Sequence, residues 1–123
     1  MHAMVIDDSR AMRMILCRIM RGIGYDVIEA ADGAQALAAI ETAPEMPVVA
    51  LIDWNMPVMN GLEFVQAVRA RADLRGMTLM MVTTESEHSQ IVRALAAGAH
   101  EYVLKPFTPE AIVDKLSLLG LAA

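Results

Sequence analysis

Three carboxylates, one hydroxyl and one ammonium stand out for the chemistry they would do together: Asp7, Asp8, Asp53, Thr83 and Lys105. Clustered carboxylates repel one another, and a hard divalent cation relieves that repulsion. Mg2+ suits such a cluster, because it takes one or two carboxylates, keeps several waters and leaves room for a phosphate oxygen. An Asp carboxylate is also a nucleophile that can form an aspartyl phosphate. A lysine and a hydroxyl beside it would then stabilise charge on the phosphoryl oxygens. Taken singly, each residue has a plainer reading. Asp8-Ser9 reads as helix capping, Thr83 as a turn residue, Lys105 as a solvated charge and Asp53 as ordinary loop chemistry. They make a site only if the fold brings them to one place.

The elements that carry them decide that question. Ala3-Met4-Val5-Ile6 reads as a buried strand ending at Asp7-Asp8. Ser9 then caps a helix with Met12, Ile15, Ile19 and Met20 on one stripe, closed by Gly22 and Gly24. Val27-Ile28 forms a second strand, and Asp32-Gly33 turns into a helix with Leu37 and Ile40 inward, ending near Pro44 and Pro47. Val48–Ile52 is apolar at every position, as a strand covered on both faces must be, and it stops at Asp53. Gly61 opens a helix carrying Leu62, Val65 and Val68. Leu79–Val82 runs as a strand into Thr83-Thr84. A helix from about Ser86 to Ala97 carries Ile91, Leu95 and Val92 inward and stops at Gly98. Tyr102-Val103-Leu104 is the last strand, ending at Lys105-Pro106. Thr108 caps the last helix, with Pro109 in its first turn and Glu110 complementing the dipole.

Five strands alternating with five helices predict an α/β fold: a doubly wound five-stranded parallel sheet, a three-layer sandwich with helices on both faces. In such sheets ligands bind outside the carboxyl ends of the strands, where the winding reverses. Every residue of the set lies just past a strand, so all are expected on one rim.

Composition narrows the function. The chain has 123 residues, 56% of them apolar, and a formal net charge of −5. That length fits one domain, and residues 1–123 are expected to form it without an output domain. An acidic chain is a poor match for a phosphate backbone, which argues against nucleic acid as partner. No uncharged run approaches the roughly 20 residues of a helical membrane span, and no secretory signal precedes the first strand. The lone Cys17 suits a reducing compartment and reads as a small core residue. His2, His88 and His100 share no metal-like spacing, and His88 is expected to be solvated. Trp54, next to Asp53, reads either as a partly exposed reporter of the site or as plain packing. The 11 methionines are expected mostly in the core. Gly22-Ile23-Gly24 follows a helix and is a turn, so no glycine-rich nucleotide loop is present.

The ordered set of motifs resembles the receiver domains of two-component response regulators over essentially the whole chain. Asp7-Asp8 resembles the family's acidic pair, and Asp53-Trp54-Asn55-Met56-Pro57 with Asn60-Gly61 resembles its phosphoacceptor loop. Met81-Val82-Thr83, Gly98-Ala99 and Lys105-Pro106-Phe107 resemble the later signatures. Trp54-Asn55, Glu85 and Tyr102 bring it nearest to the single-domain chemotaxis regulators.

The resemblance implies a flavodoxin-like fold and a role for each position. Asp53 would accept a phosphoryl group from a histidine kinase. One Mg2+ would be held by Asp8, Asp53 and the backbone carbonyl of Asn55, with Asp7 acting through water. Lys105 and Thr83 would stabilise the phosphoryl oxygens, and a shift of Thr83 would let Tyr102 swing inward. A cis Lys105–Pro106 bond is implied, although trans is the commoner state even before proline. Asn55, Glu85 and Thr84 would tune dephosphorylation; Thr84 replaces the family's usual small residue. The readout would be the face made by the fourth helix, fifth strand and fifth helix. Its expected partner is the flagellar motor switch protein or another protein target, with a phosphatase as a further partner. The molecule is expected to be cytoplasmic and monomeric, and a phosphoacceptor that catalyses its own phosphorylation and dephosphorylation rather than a conventional enzyme. Only six residues precede Asp7, so either a frayed first strand or a true start further upstream is expected.

A phosphate sink or phosphorelay intermediate would use the same site with a different output. A phosphohydrolase working through an aspartyl phosphate needs a second carboxylate two residues after the nucleophile, where this chain has Asn55. A flavodoxin-like cofactor binder would need a phosphate loop after the first strand, which is absent.

Overall fold

Val49–Ile52 is wholly buried at each of its four positions and forms the middle of the sheet. Such a strand must be covered on both faces, and the computed structural model shows how. It describes residues 1–84 and 88–122, without the His88 side chain. Glu85, the expected helix start at Ser86 and the expected solvation of His88 lie outside the described residues.

The strands are β1 (His2–Ile6), β2 (Asp26–Ala30), β3 (Val49–Ile52), β4 (Thr78–Thr84) and β5 (Glu101–Lys105). The helices are α1 (Arg10–Gly22), α2 (Gly33–Thr42), α3 (Gly61–Ala70), α4 (His88–Ala97) and α5 (Pro109–Leu118), with a 3₁₀ turn at Ala72–Leu74 that the sequence did not announce. All strands are parallel in the order β2-β1-β3-β4-β5, so the winding reverses between β1 and β3. Strand alternation divides the core into two layers. Met4, Ile6, Ala50, Ile52, Leu79 and Met81 pack with residues of α2, α3 and α4. Val5, Val49, Leu51, Met80, Val82 and Val103 face the other way, onto α1 and α5.

Local signals explain where the helices start. Ser9, Asp32, Asn60 and Thr108 each cap a helix by accepting a backbone N–H. At α3 the cap is reciprocal: Asn60 accepts from Glu63 N–H at 2.9 Å while the Glu63 carboxylate accepts from Asn60 N–H at 3.0 Å.

Several expectations need correction. On α1 the buried face is Leu16, Cys17 and Met20, with Met12 and Ile19 half-buried, whereas Ile15 points outward at 46% exposure. On α4 the inward residues are Ile91 and Ala94; Val92 is 72% exposed and Leu95 38%. Both errors have one cause: apolar residues extend beyond the stripe that meets the sheet, and helical spacing alone does not mark where that stripe ends. β1 is not frayed, since it pairs with β2 and β3, and Ala3–Ile6 are fully buried. Other expectations hold. Of the two readings of Trp54, plain packing is the one seen: it is 6% exposed and packed with the α2–α4 layer. Most methionines are buried as expected, while Met1, Met14 and Met46 are exposed.

Candidate functional site

Sheet register builds the site. Ile6 pairs with Ile52, so the next residues on two adjacent strands, Asp7 and Asp53, leave the sheet side by side at the winding reversal. Asp7 N–H donates to the Ala30 carbonyl and Asp53 N–H to the Ile6 carbonyl, at 3.1 and 2.9 Å, so both positions are fixed by the backbone. Asp7 and Asp53 are 1% and 7% exposed, while Asp8 is exposed. Ser9, and not Asp8, caps α1, which leaves the Asp8 carboxylate for the cluster. Asp7, Asp8 and Asp53 can each offer an oxygen within 4.8 Å of the other two.

On the far side of β4, Thr84 pairs with Lys105 and Thr83 with Leu104, which brings the end of β5 to the same rim. The Lys105 ammonium donates to Asp7 Oδ2 at 3.0 Å and to Asp53 Oδ1 at 3.2 Å. Burial pulls its pKa down, but the Asp7 and Asp53 carboxylates outweigh that effect and leave it raised above the usual lysine value. The Lys105–Pro106 peptide is cis. Thr83 is 1% exposed, and its Oγ1 has no hydrogen-bond partner among the described residues. An unsatisfied buried hydroxyl is costly, and a ligand oxygen at this rim would supply its partner. Thr84 is half-buried at the end of β4, Asn55 is exposed, and Tyr102 is half-buried beside the α2–α4 layer.

The structure adds one residue that reasoning from sequence did not single out, Arg13, and gives Gly61 a reason beyond opening its helix. Arg13 donates to the Asp7 backbone carbonyl at 2.8 Å and lies 3.5 Å from Glu29, bracing the acidic turn through its main chain. Its place one turn into α1, after a capping serine, was the available signal. Gly61 lies against the Asp53 carbonyl, where a Cβ would collide, and its N–H donates to Trp54 O at 2.9 Å. Glycine is therefore required for α3 to start so close to the acceptor loop.

Three hard carboxylates with one ammonium and a partnerless hydroxyl fit a divalent cation and a phosphoryl group. No helix among the described residues is long and apolar enough to cross a membrane.

Relatives carry the same architecture. Residues 3–117 match the response regulator receiver domain model. The chain is 38% identical over 120 residues to the chemotaxis protein CheY1 of Helicobacter pylori, covering 97% of this chain and 96% of that protein. It is 43% identical over 117 residues to a chemotaxis protein CheY homolog of Campylobacter jejuni, covering 94% and 89%. Among solved structures, the chemotaxis response regulator CheY4 of Vibrio cholerae superposes with a TM-score of 0.86 at 36% identity, covering 96% and 97%. Strand order, an acidic rim at the winding reversal and similarity along almost the whole length agree: the chain belongs to the response regulator receiver domains, with chemotaxis regulators of the CheY type among its relatives.

Proposed function

We propose that Asp53 is the phosphoacceptor of this receiver, taking its phosphoryl group from the phosphohistidine of a histidine kinase. The observation that carries this reading is the buried Asp53 carboxylate set among Asp7, Asp8 and the Lys105 ammonium. An Asp53 oxygen attacks phosphorus, an O–P bond forms, and the P–N bond to the donor imidazole breaks with its electrons returning to the ring. Asp8, Asp53 and the Asn55 backbone carbonyl would hold one Mg2+, with Asp7 reaching it through water. When bound, the ion would neutralise charge on the phosphoryl oxygens. Lys105 lies within reach of the acceptor and stabilises one phosphoryl oxygen, while Thr83 donates to another and gains the partner its buried hydroxyl lacks. In this reading the protein catalyses both its own phosphorylation and its own dephosphorylation. Asn55, two residues after the acceptor, and Thr84, paired with Lys105 at the end of β4, would set how long the phosphate survives; Glu85 is assigned the same role from sequence alone.

The output reading follows from the added charge. A phosphoryl group adds nearly two negative charges, which draws Thr83 toward Asp53 and opens space for the Tyr102 ring. The α4-β5-α5 face then binds a protein target, the flagellar motor switch being favoured by the chemotaxis regulators among the relatives. A phosphate sink would share the acceptor and lack that target.

Incubation with acetyl phosphate and Mg2+, followed by intact mass, tests the acceptor. The wild type should gain one phosphoryl group and Asp53→Asn none; equal labelling of the mutant would refute the assignment. A pull-down with the N-terminal peptide of a motor switch protein tests the output. Binding strengthened by phosphorylation supports the motor reading, and indifference favours the sink.

A further inference from the structure

Tyr102 lies on β5, the edge strand of the sheet among the described residues. Strand alternation sends Val103 into the α1–α5 layer and Tyr102 toward the opposite layer, where its half-buried ring packs beside the α2–α4 cluster. The open edge lets a residue from the other layer reach round to the ring. Lys115 of α5 does so, with Nζ 5.4 Å from the ring centroid, within range of a cation–ring attraction. Glu101, the residue before Tyr102, forms an ion pair with Lys115, its Oε1 lying 3.2 Å from Nζ. The same oxygen accepts the Tyr102 backbone N–H at 3.0 Å. One carboxylate oxygen thus ties the backbone of Tyr102 to the cation over its own ring.

A lysine at this edge would otherwise extend freely into water, since its side chain is 36% exposed. Glu101 removes much of that freedom and balances its charge, so the ammonium is already ordered where the ring sits. We propose that Glu101 and Lys115 form a clamp that holds Tyr102 in its resting position, and so set how readily phosphorylation at Asp53 moves the ring. The clamp deepens the switch reading given above and rests on it. A ring that swings inward leaves the cation, so the contact stabilises only the resting state and biases the equilibrium by its own strength. Glu101 and Lys115 are positioning residues; neither touches the acidic rim.

Fluorine NMR on protein carrying 3-fluorotyrosine tests this directly. The chain has two tyrosines. Tyr25 is 5% exposed with its hydroxyl bonded to the Leu121 carbonyl at 2.7 Å, so its resonance reports folding and serves as an internal reference. Beryllofluoride with Mg2+, an analogue of the acyl phosphate, defines the switched position of the Tyr102 resonance. Without it, Lys115→Met and Glu101→Gln should each move that resonance toward the switched position. The inward population should rise roughly two- to fivefold, the size of one half-exposed cation–ring contact. Lys115→Arg should restore the resting shift, and the double variant should add little to either single change. All three single variants should still gain one phosphoryl group by intact mass. If both Lys115→Met and Glu101→Gln leave the resonance in place while the wild type responds to beryllofluoride, the clamp is wrong and the switch stands. A wild-type Tyr102 that ignores beryllofluoride, in protein that labels normally at Asp53, overturns the switch and the clamp with it.

Discussion

Burial raises the Cys17 thiol pKa to about 11, and the carboxylate of Glu29 adds to the effect. At neutral pH the side chain is therefore a thiol, not a thiolate, and it is 1% exposed. Cys17 in the native protein should react with a thiol reagent such as DTNB only as fast as the protein unfolds, and at the ordinary rate in denaturant. Fast labelling of the folded chain would show α1 to be more open than its packing indicates. Gly61 is the opposite kind of residue, defined by an atom it lacks. Gly61→Ala places a methyl group against the Asp53 carbonyl oxygen, so either α3 or the acceptor must shift. A stability loss of about 1–3 kcal/mol is expected, read by urea titration, together with slower labelling by acetyl phosphate. Wild-type labelling in that variant would mean the acceptor tolerates displacement.

Between elements, Arg69 makes four hydrogen bonds that tie α3 to the turns leading into β4 and β5. From α3 it donates to the carbonyls of Gly98, Arg75 and Met77 at 3.0, 3.2 and 2.9 Å, and it meets His100 Nδ1 at 3.2 Å. The same Nδ1 accepts from Leu79 N–H at 3.1 Å. With the guanidinium and an amide both donating to it, that nitrogen must be unprotonated. Partial burial, and then the Arg69 charge, hold the His100 pKa below its ordinary value of 6.5. A base depressed in the folded state binds fewer protons there than when unfolded. Its contribution to stability is whole above pH 6.5 and declines as pH falls below it. Cooling of the melting temperature from about pH 7.5 to about 5.5 should be smaller in His100→Gln than in the wild type. Equal drops would assign the acid sensitivity to other groups. The same staple accounts for Gly98, where φ is +126° and a Cβ would run into the Arg69 side chain.

At the scale of the molecule, the central strand carries the core and the rim carries the charge. Leu51 is fully buried in the α1–α5 layer, and Leu51→Ala should cost about 2–5 kcal/mol by urea titration. A smaller loss would mean that layer collapses around the gap. The acidic rim predicts a stabilisation that depends on ligand. If Asp7, Asp8 and Asp53 bind Mg2+ in the native state only, the ion should raise the melting temperature. The gain would be about 2.7 kcal/mol at a hundredfold excess over the dissociation constant. Asp8→Ala should abolish most of that shift while leaving the melt without Mg2+ little changed. A wild-type melt insensitive to Mg2+ would remove the metal from the proposed reaction.

Much of the fold and of the site is legible in the sequence. Apolar runs ending in Asp7-Asp8, Asp53, Thr83 and Lys105 specify strand type and place each polar residue just past a strand, because period and composition are local properties of the chain. The caps at Ser9 and Thr108 were legible for the same reason. Tertiary structure alone decided how much of each apolar helix stripe is covered, and so left Ile15, Val92 and Leu95 exposed at its edges. It decided that Trp54 belongs to the core. It also made the contacts between residues far apart in the chain: Lys105 on Asp7 and Asp53, Arg69 on His100, and Lys115 over Tyr102. The sequence determines what each segment is, because propensity and pattern act over a few residues. The pairing of strand ends and of long side chains depends on register and on which layer meets which, and only the folded sheet sets those.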